Sequence, residues 1–162
     1  MEHTMRSLIP LVAVLTLGLM GCAPRKIPGT ELDDTSETRA IIDVIQKYRT
    51  AVEAKNTDAL TQLADKSFRD DGGTSTPDDD LDFATLPQRL SARMSKVTDL
   101  KLDVTVRRIE FDTDQQNARV TYSYQLSFKM PEYSGRAQSE SDIKQMILKR
   151  VGDQEWKITS GI

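Results

Sequence analysis

Between Ala118 and Met130 the chain alternates. Ala118, Val120, Tyr122, Tyr124, Leu126, Phe128 and Met130 are separated by Arg119, Thr121, Ser123, Gln125, Ser127 and Lys129. A period of two is that of a β-strand with one buried face and one face toward water or a polar partner. Upstream, Leu100, Leu102, Val104 and Val106 keep the same period, which slips at Arg107-Arg108 and resumes at Ile109 and Phe111. One extra residue in an alternating run predicts a β-bulge, which bends the strand. Turn residues follow at Asp112 to Asn117, at Pro131 to Gly135 and at Gly152-Asp153. They leave residues 136–151 as a third long strand, with Trp156, Ile158 and Ile162 marking a last one.

Before Thr98 the apolar spacing is helical. Ile41, Val44, Ile45, Tyr48 and Val52 recur at intervals of three and four, with Asp43, Lys47 and Arg49 on other faces. Asp34 is the expected N-cap, with Glu37 in capping-box register, and the helix is expected to end near Lys55-Asn56. A second, shorter helix starts at Thr57 or Asp58 and carries Ala59, Leu60, Leu63 and Ala64. A third has Thr85, Pro87 and Gln88 as starting chemistry and places Leu86, Leu90 and Met94 on one face. Between the second and third helices, residues 70–80 have five aspartates, two glycines and no apolar period. Oxygen ligands for calcium could be gathered there, but the spacing is not that of an EF-hand, and an exposed, solvated loop is expected. Helices followed by a meander of antiparallel strands predict the α+β class.

The N-terminus has a different pattern. Leu8 to Met20 is a run of 13 residues without charge, preceded by Arg6 and followed by Gly21-Cys22. A spanning helix needs about 20 apolar residues, so the run is too short to cross a bilayer and reads as a signal peptide. Leu19-Met20-Gly21-Cys22 resembles the lipobox of bacterial lipoproteins, although Met20 stands where a small or β-branched residue is usual. The resemblance implies cleavage before Cys22 and acylation of its sulfur and new amino group. Two or more acyl chains suffice for stable anchoring, since each buried methylene contributes roughly 0.8 kcal/mol. The expected organisation is therefore a signal peptide over residues 1–21, a flexible linker over 22–35 after the lipidated Cys22, and a single α+β domain over 36–162. Ala23, rather than Asp, follows the cysteine; by the family's sorting pattern this implies the outer membrane, facing the periplasm, in an organism with two membranes. Translation could start at Met1 or at Met5.

Removal of residues 1–21 leaves 141 residues, one domain's worth. The excised part holds one acid, Glu2, and one base, Arg6, so the remainder keeps the net charge of −3. That balance provides no electrostatic footprint for nucleic acid. The one histidine, His3, is removed with the signal peptide, and Cys22 is the only cysteine. Histidine-dependent triads, histidine general bases, His-containing zinc sites and disulfides within the chain are thereby excluded. No cofactor or metal motif is present.

The order of elements carries a second resemblance. A long first helix with Ile45, Tyr48, Ala51 and Val52, then Asn56-Thr57-Asp58-Ala59-Leu60, Phe68, a third helix, and long bent strands ending in Trp156-Lys157-Ile158 is similar to the nuclear transport factor 2-like superfamily over about residues 36–162. That resemblance implies a cone: a strongly curved antiparallel sheet wrapped around the helices, with a pocket at the open end. It implies no single activity, because the superfamily holds ketosteroid isomerase and polyketide cyclase relatives beside non-catalytic binding modules. Tyr48, Phe68, Met94, Tyr122, Tyr124 and Trp156 are the candidate pocket-lining residues, with Trp156, Met94 and Phe68 expected to plug a pocket that serves binding alone. Asp142 is the nearest approach to a catalytic carboxylate, on a strand whose facing the sequence leaves open. The preferred expectation is a tethered, non-enzymatic domain binding an envelope protein or a small apolar ligand. The alternative is a lyase or isomerase acting on a small cyclic substrate. A homodimer through the polar outer sheet face is a third expectation, dimers being common in the resembling superfamily.

Overall fold

A computed structural model describes residues 25–72, 80–132 and 135–162. The signal segment, Cys22 and Asp78-Asp79 lie outside the described residues. Among those that are described, no helix is long and apolar enough to cross a membrane.

Three helices precede the main sheet: α1 (Ser36–Glu53), α2 (Thr57–Leu63) and α3 (Leu86–Met94). The N-cap of α1 is Thr35, whose hydroxyl accepts from the Thr38 N–H at 3.1 Å. Asp34, the expected cap, is instead paired with Arg39, which donates to it at 2.8 Å. Asn56 caps α2 by accepting from the Ala59 N–H at 2.9 Å, and Pro87 occupies the first turn of α3, where its missing N–H costs no hydrogen bond.

Two two-residue strands, β1 (Arg69–Asp70) and β2 (Leu81–Asp82), pair antiparallel and bracket the acidic segment. Asp70 therefore belongs to a small sheet and not to a solvated loop. The main sheet is a meander of β3 (Thr98–Phe111), β4 (Asn117–Lys129), β5 (Ala137–Arg150) and β6 (Trp156–Ser160) in that spatial order. Its register slips between Val106 and Arg108, so Arg107 is the extra residue of the expected bulge; further slips lie between Thr98 and Lys101 and between Ile147 and Leu148. Each bulge adds local bend and twist, and together they curl the sheet around the helices into the expected cone.

The core fills the concave side. Ile41 and Ile45 of α1, Leu60 of α2, Leu86 of α3, and Val120, Met146, Leu148 and Ile158 of the sheet are completely or almost completely shielded from water. Glu53 accepts from the Leu102 N–H at 3.1 Å and Lys55 donates to the Val97 carbonyl at 2.7 Å, which fasten the C-terminal end of α1 to the start of β3. Asp65 N–H donates to the Ile158 carbonyl at 2.8 Å, closing α2 onto β6. The completely shielded residues of the sheet, Val120, Met146, Leu148 and Ile158, lie toward one end; toward the other, Gln138, Glu140, Asp142 and Lys144 of β5 are exposed.

Candidate functional site

The open end is a cavity of about 730 Å³. The strand register explains its position. Ala118 and Val120 on β4 lie opposite Leu148 and Met146 on β5, and these four are packed under the helices. Further along the same face Tyr122 lies opposite Lys144, Tyr124 opposite Asp142, Leu126 opposite Glu140 and Phe128 opposite Gln138. The β5 side of the sheet thus turns polar where the helices no longer cover it. Val52 of α1, Leu60 of α2, Leu90 and Met94 of α3, and Leu100, Leu102, Leu126 and Phe128 of the sheet supply apolar walls. Tyr48, Tyr122, Tyr124, Asp70, Arg93, Glu140 and Lys144 supply the polar groups.

Three tyrosines dominate the polar part. The rings of Tyr122 and Tyr124 are tilted against each other with centroids 6.4 Å apart, and the Lys144 ammonium stands 5.2 Å from the Tyr124 centroid. The Tyr124 hydroxyl donates to a carboxylate oxygen of Glu140. Among the described residues the hydroxyls of Tyr48 and Tyr122 have no hydrogen-bond partner. Burial pushes the Tyr48 phenol up to about 12, partly offset by the positive charge of Arg93. The Tyr122 phenol is also raised, first by burial and then by Tyr48, Tyr124 and Asp70. That of Tyr124 is raised by burial, then by its bond to Glu140 and the nearby charges of Glu140 and Asp142. All three hydroxyls are therefore protonated donors at neutral pH.

Asp70 closes one side. Its Oδ2 accepts from the Gly161 N–H at 2.7 Å, a contact across 91 positions of sequence that joins the small β1–β2 sheet to the segment after β6. Gly161 has φ +93°, and a Cβ there would lie 2.3 Å from the Gln145 carbonyl oxygen and 2.9 Å from the Met146 Cα. Only glycine lets the backbone lie this close to β5 in that conformation.

Of the residues expected to line the pocket, Tyr48, Met94, Tyr122 and Tyr124 border the cavity. Phe68 and Trp156 are outside its lining. Phe68 is 1 % exposed within the core. Trp156 is opposite Arg150 at the other end of the sheet, its ring tilted against Phe111 and covered by the Arg150 guanidinium. The cavity is accordingly not plugged by these two. Asp142 shares the inward face with Tyr124, but its Oδ1 accepts from the Ile143 N–H at 2.7 Å and the residue is exposed. Asp70, Arg93, Glu140 and Lys144 were not among the residues expected to line the pocket; Asp70 was expected in the exposed acidic loop. The available signal was the run Gln138, Glu140, Asp142, Lys144 on alternate positions of β5, polar where its partner strand is apolar. Among the described residues no group of three or more metal-ligating side chains converges.

No protein-family model and no curated protein sequence matches the chain. Solved structures match it in fold. The nuclear transport factor 2 (NTF2-like) superfamily protein from Salmonella enterica serovar Typhimurium superposes with a TM-score of 0.64 at 11% identity, covering 77% of this chain and 87% of that one. A ketosteroid isomerase-like protein from Erwinia carotovora atroseptica gives 0.62 at 12% identity over 76% and 92%. A conserved protein from Planctomyces limnophilus gives 0.64 at 12% identity over 77% and 92%. The domain has the NTF2-like cone fold. At such identities the likeness extends to fold alone, and this fold hosts many activities.

Proposed function

We propose that this chain is a lipid-anchored protein of the cell envelope whose cone-fold domain holds a small, mainly apolar ligand without transforming it. The cavity carries this reading: its volume of about 730 Å³ falls within the range of roughly 300–1,000 Å³ usual for small-molecule sites. Apolar walls fit a hydrophobic body, and the free hydroxyls of Tyr48 and Tyr122 fit one or two polar atoms on it. Acid–base catalysis works best with groups whose pKa is near the working pH. Here burial moves the phenols away from neutrality, as suits fixed hydrogen-bond donors, and no histidine remains after signal removal. Anchoring rests on Leu19-Met20-Gly21-Cys22 after a short uncharged run.

Binding is tested with N-phenyl-1-naphthylamine, an apolar fluorophore with one N–H. Saturable one-to-one binding to the full-length protein is expected, abolished by Leu126→Trp at unchanged melting temperature. If neither this dye nor a panel of apolar probes of similar size binds saturably, or if filling the cavity leaves binding intact, the reading fails. Anchoring is tested by metabolic labelling with a palmitate analogue in cells carrying wild type or Cys22→Ser. Label and membrane attachment should both be lost in the variant.

A second reading has its own observation: Glu140 is bonded to Tyr124, and Asp70 lies beside the same cavity. A lyase or isomerase could use such a carboxylate as its base. Glu140→Gln and Asp70→Asn separate the two readings. Under the binding reading, probe affinity persists and no turnover is found with any bound cyclic ketone or alcohol; a turnover that either substitution abolishes would establish the enzyme.

A further inference from the structure

The start of the described chain and the cavity lie at opposite ends of the main sheet. Residues 25–34, within the expected flexible linker, are folded. Lys26 and Asp33 form an antiparallel bridge, supported by hydrogen bonds from Ile27 N–H to the Leu32 carbonyl at 2.9 Å and from Asp34 N–H to the Arg25 carbonyl at 2.7 Å. Thr30 N–H donates to the Ile27 carbonyl at 3.0 Å, and Gly29 has φ +78°, so Pro28-Gly29 forms a tight turn with glycine where a positive φ is required. The hairpin is also docked. Leu32 is 8 % exposed, and Glu31, Leu32 and Asp33 share a surface cleft with Ile109, Phe111 and Gln115. It is thus fastened where β3 turns into β4.

The cavity borders the far ends of the same two strands, at Leu100 and Leu102 on β3 and at Leu126 and Phe128 on β4. Along β4, Ala118 and Phe128 are separated by about 30 Å at the usual rise of about 3.3 Å per residue. Cys22 precedes Arg25 by three residues, and three residues at full extension reach only about 10 Å. A lipid on Cys22 therefore holds the hairpin end close to the bilayer. Turning the cavity onto that bilayer would lift Arg25 by about 30 Å, beyond the reach of so short a tether. Charge agrees with distance: the exposed lining residues Arg93, Glu140 and Lys144 form a rim suited to water and not to acyl chains.

We propose that the cavity opens away from the membrane that carries the anchor and exchanges its ligand with the aqueous compartment. It does not draw the ligand from the lipid beneath it. This rests on the acylation of Cys22 proposed above. It also narrows the ligand class to molecules soluble enough to cross water alone or on a carrier, with an apolar body and a polar group for Tyr48 and Tyr122. The acyl chains of the anchoring bilayer are excluded.

Full-length protein purified from membranes tests this. Its intact mass reports acylation of Cys22, and because that thiol is then occupied, single cysteines introduced by Arg119→Cys and Gln138→Cys can be labelled with a donor dye. Both positions are exposed, Arg119 at the hairpin end and Gln138 opposite Phe128 at the cavity end. The variants are reconstituted in phosphatidylcholine vesicles bearing a headgroup acceptor. Energy transfer is expected to be roughly twofold or more lower at position 138, for labels about 30 Å apart in height. Equal transfer, or greater transfer at 138, in protein of the acylated mass overturns the proposed orientation alone. An unacylated mass with no vesicle association overturns the anchor and the orientation with it.

Discussion

Replacing Asp70 with alanine should loosen one wall of the cavity by an amount that can be worked from the structure. Two hydrogen bonds are lost, from Gly161 N–H at 2.7 Å and from the exposed Gly72 N–H at 3.1 Å; the first carries most of the effect, since a hydrogen bond to a charged group contributes roughly 1.5–3 kcal/mol when well shielded. Asp70 is half-buried, so about 1–2 kcal/mol is the expected loss once solvent screening is allowed for. In a domain of this size that corresponds to a fall in melting temperature of roughly 3–8 °C. Gly161 cannot shift to a new acceptor cheaply, because its backbone is wedged between the Gln145 carbonyl and the Met146 Cα. Asp70→Asn, which keeps an acceptor oxygen without the charge, should lose about half as much. Thermal unfolding by circular dichroism measures all of this, and Gly161→Ala makes it a cycle: both substitutions release the same tie, so the double variant should lose clearly less than the sum of the singles. A second readout is specific to the site. Asp70 is one of the charges that raise the Tyr122 phenol, so its removal should bring phenolate absorbance in at lower pH. An Asp70→Ala protein with wild-type melting temperature and additive behaviour would refute the reasoning.

Further predictions follow from burial and charge. Leu148→Ala, at a fully buried position, should cost about 2–5 kcal/mol, whereas Ile143→Ala on the outer face, where the side chain is 60% exposed, should change stability by less than about 0.5 kcal/mol; chemical denaturation distinguishes them. Asp34, Glu37, Asp65 and Asp99 all have carboxyls held below their ordinary values of 3.8 and 4.5, Asp34 and Asp99 by Arg39 and Lys129, Glu37 and Asp65 chiefly by hydrogen bonds to backbone N–H groups and serine hydroxyls. Their contribution is present above the unfolded values and is lost as pH falls through the lowered folded ones. Stability measured by urea unfolding should therefore decline only below pH 4.5, the higher of these ordinary values. The tyrosines act at the other limit: with folded phenols raised above the ordinary 10.0, and Tyr48 at about 12, their contribution is complete below pH 10.0 and is lost as pH rises through the folded values. Difference absorbance at alkaline pH should show these phenols ionising together with unfolding, and their ionisation at 10.0 in a still-folded protein would contradict the structure.

The long elements were legible because each repeats its period many times. Thirteen residues of alternation leave β4 no other interpretation, and the slip at Arg107 is visible only against that regularity. Short elements had no such redundancy. Arg69–Asp70 and Leu81–Asp82 are two residues each, too brief for any period, and they brought an aspartate from an apparent loop to the cavity. The N-cap is one position later than expected because Asp34 is engaged by Arg39, five residues along, and the adjacent Thr35 caps instead. Phe68 and Trp156 are apolar enough for any pocket wall. Whether they line one depends on tertiary placement: Phe68, outside any strand, is buried in the core, and Trp156 is opposite Arg150 at the end of the sheet remote from the cavity.

The inward face of β5 explains why one sheet can be both core and binding surface. Met146 and Leu148 are fully buried, while Gln138, Glu140, Asp142 and Lys144 on the same face are exposed. A packed core would leave those four without water or partners, and an unpaired buried charge costs several kcal/mol. Their polarity therefore requires that this end of the cone stay open, and a departure from core patterning of this kind is what a functional surface produces. Scaffold and site are then separable along a single strand. Substitutions at 146 and 148 should act through stability, and substitutions at the exposed positions 140 and 144 should leave the melting temperature near that of the wild type. The same division holds along the sheet: at the end that carries the hairpin, Trp156 packs against Phe111 and Leu32 is buried beside a surface cleft, and at the polar end Tyr48, Tyr122 and Tyr124 border the cavity.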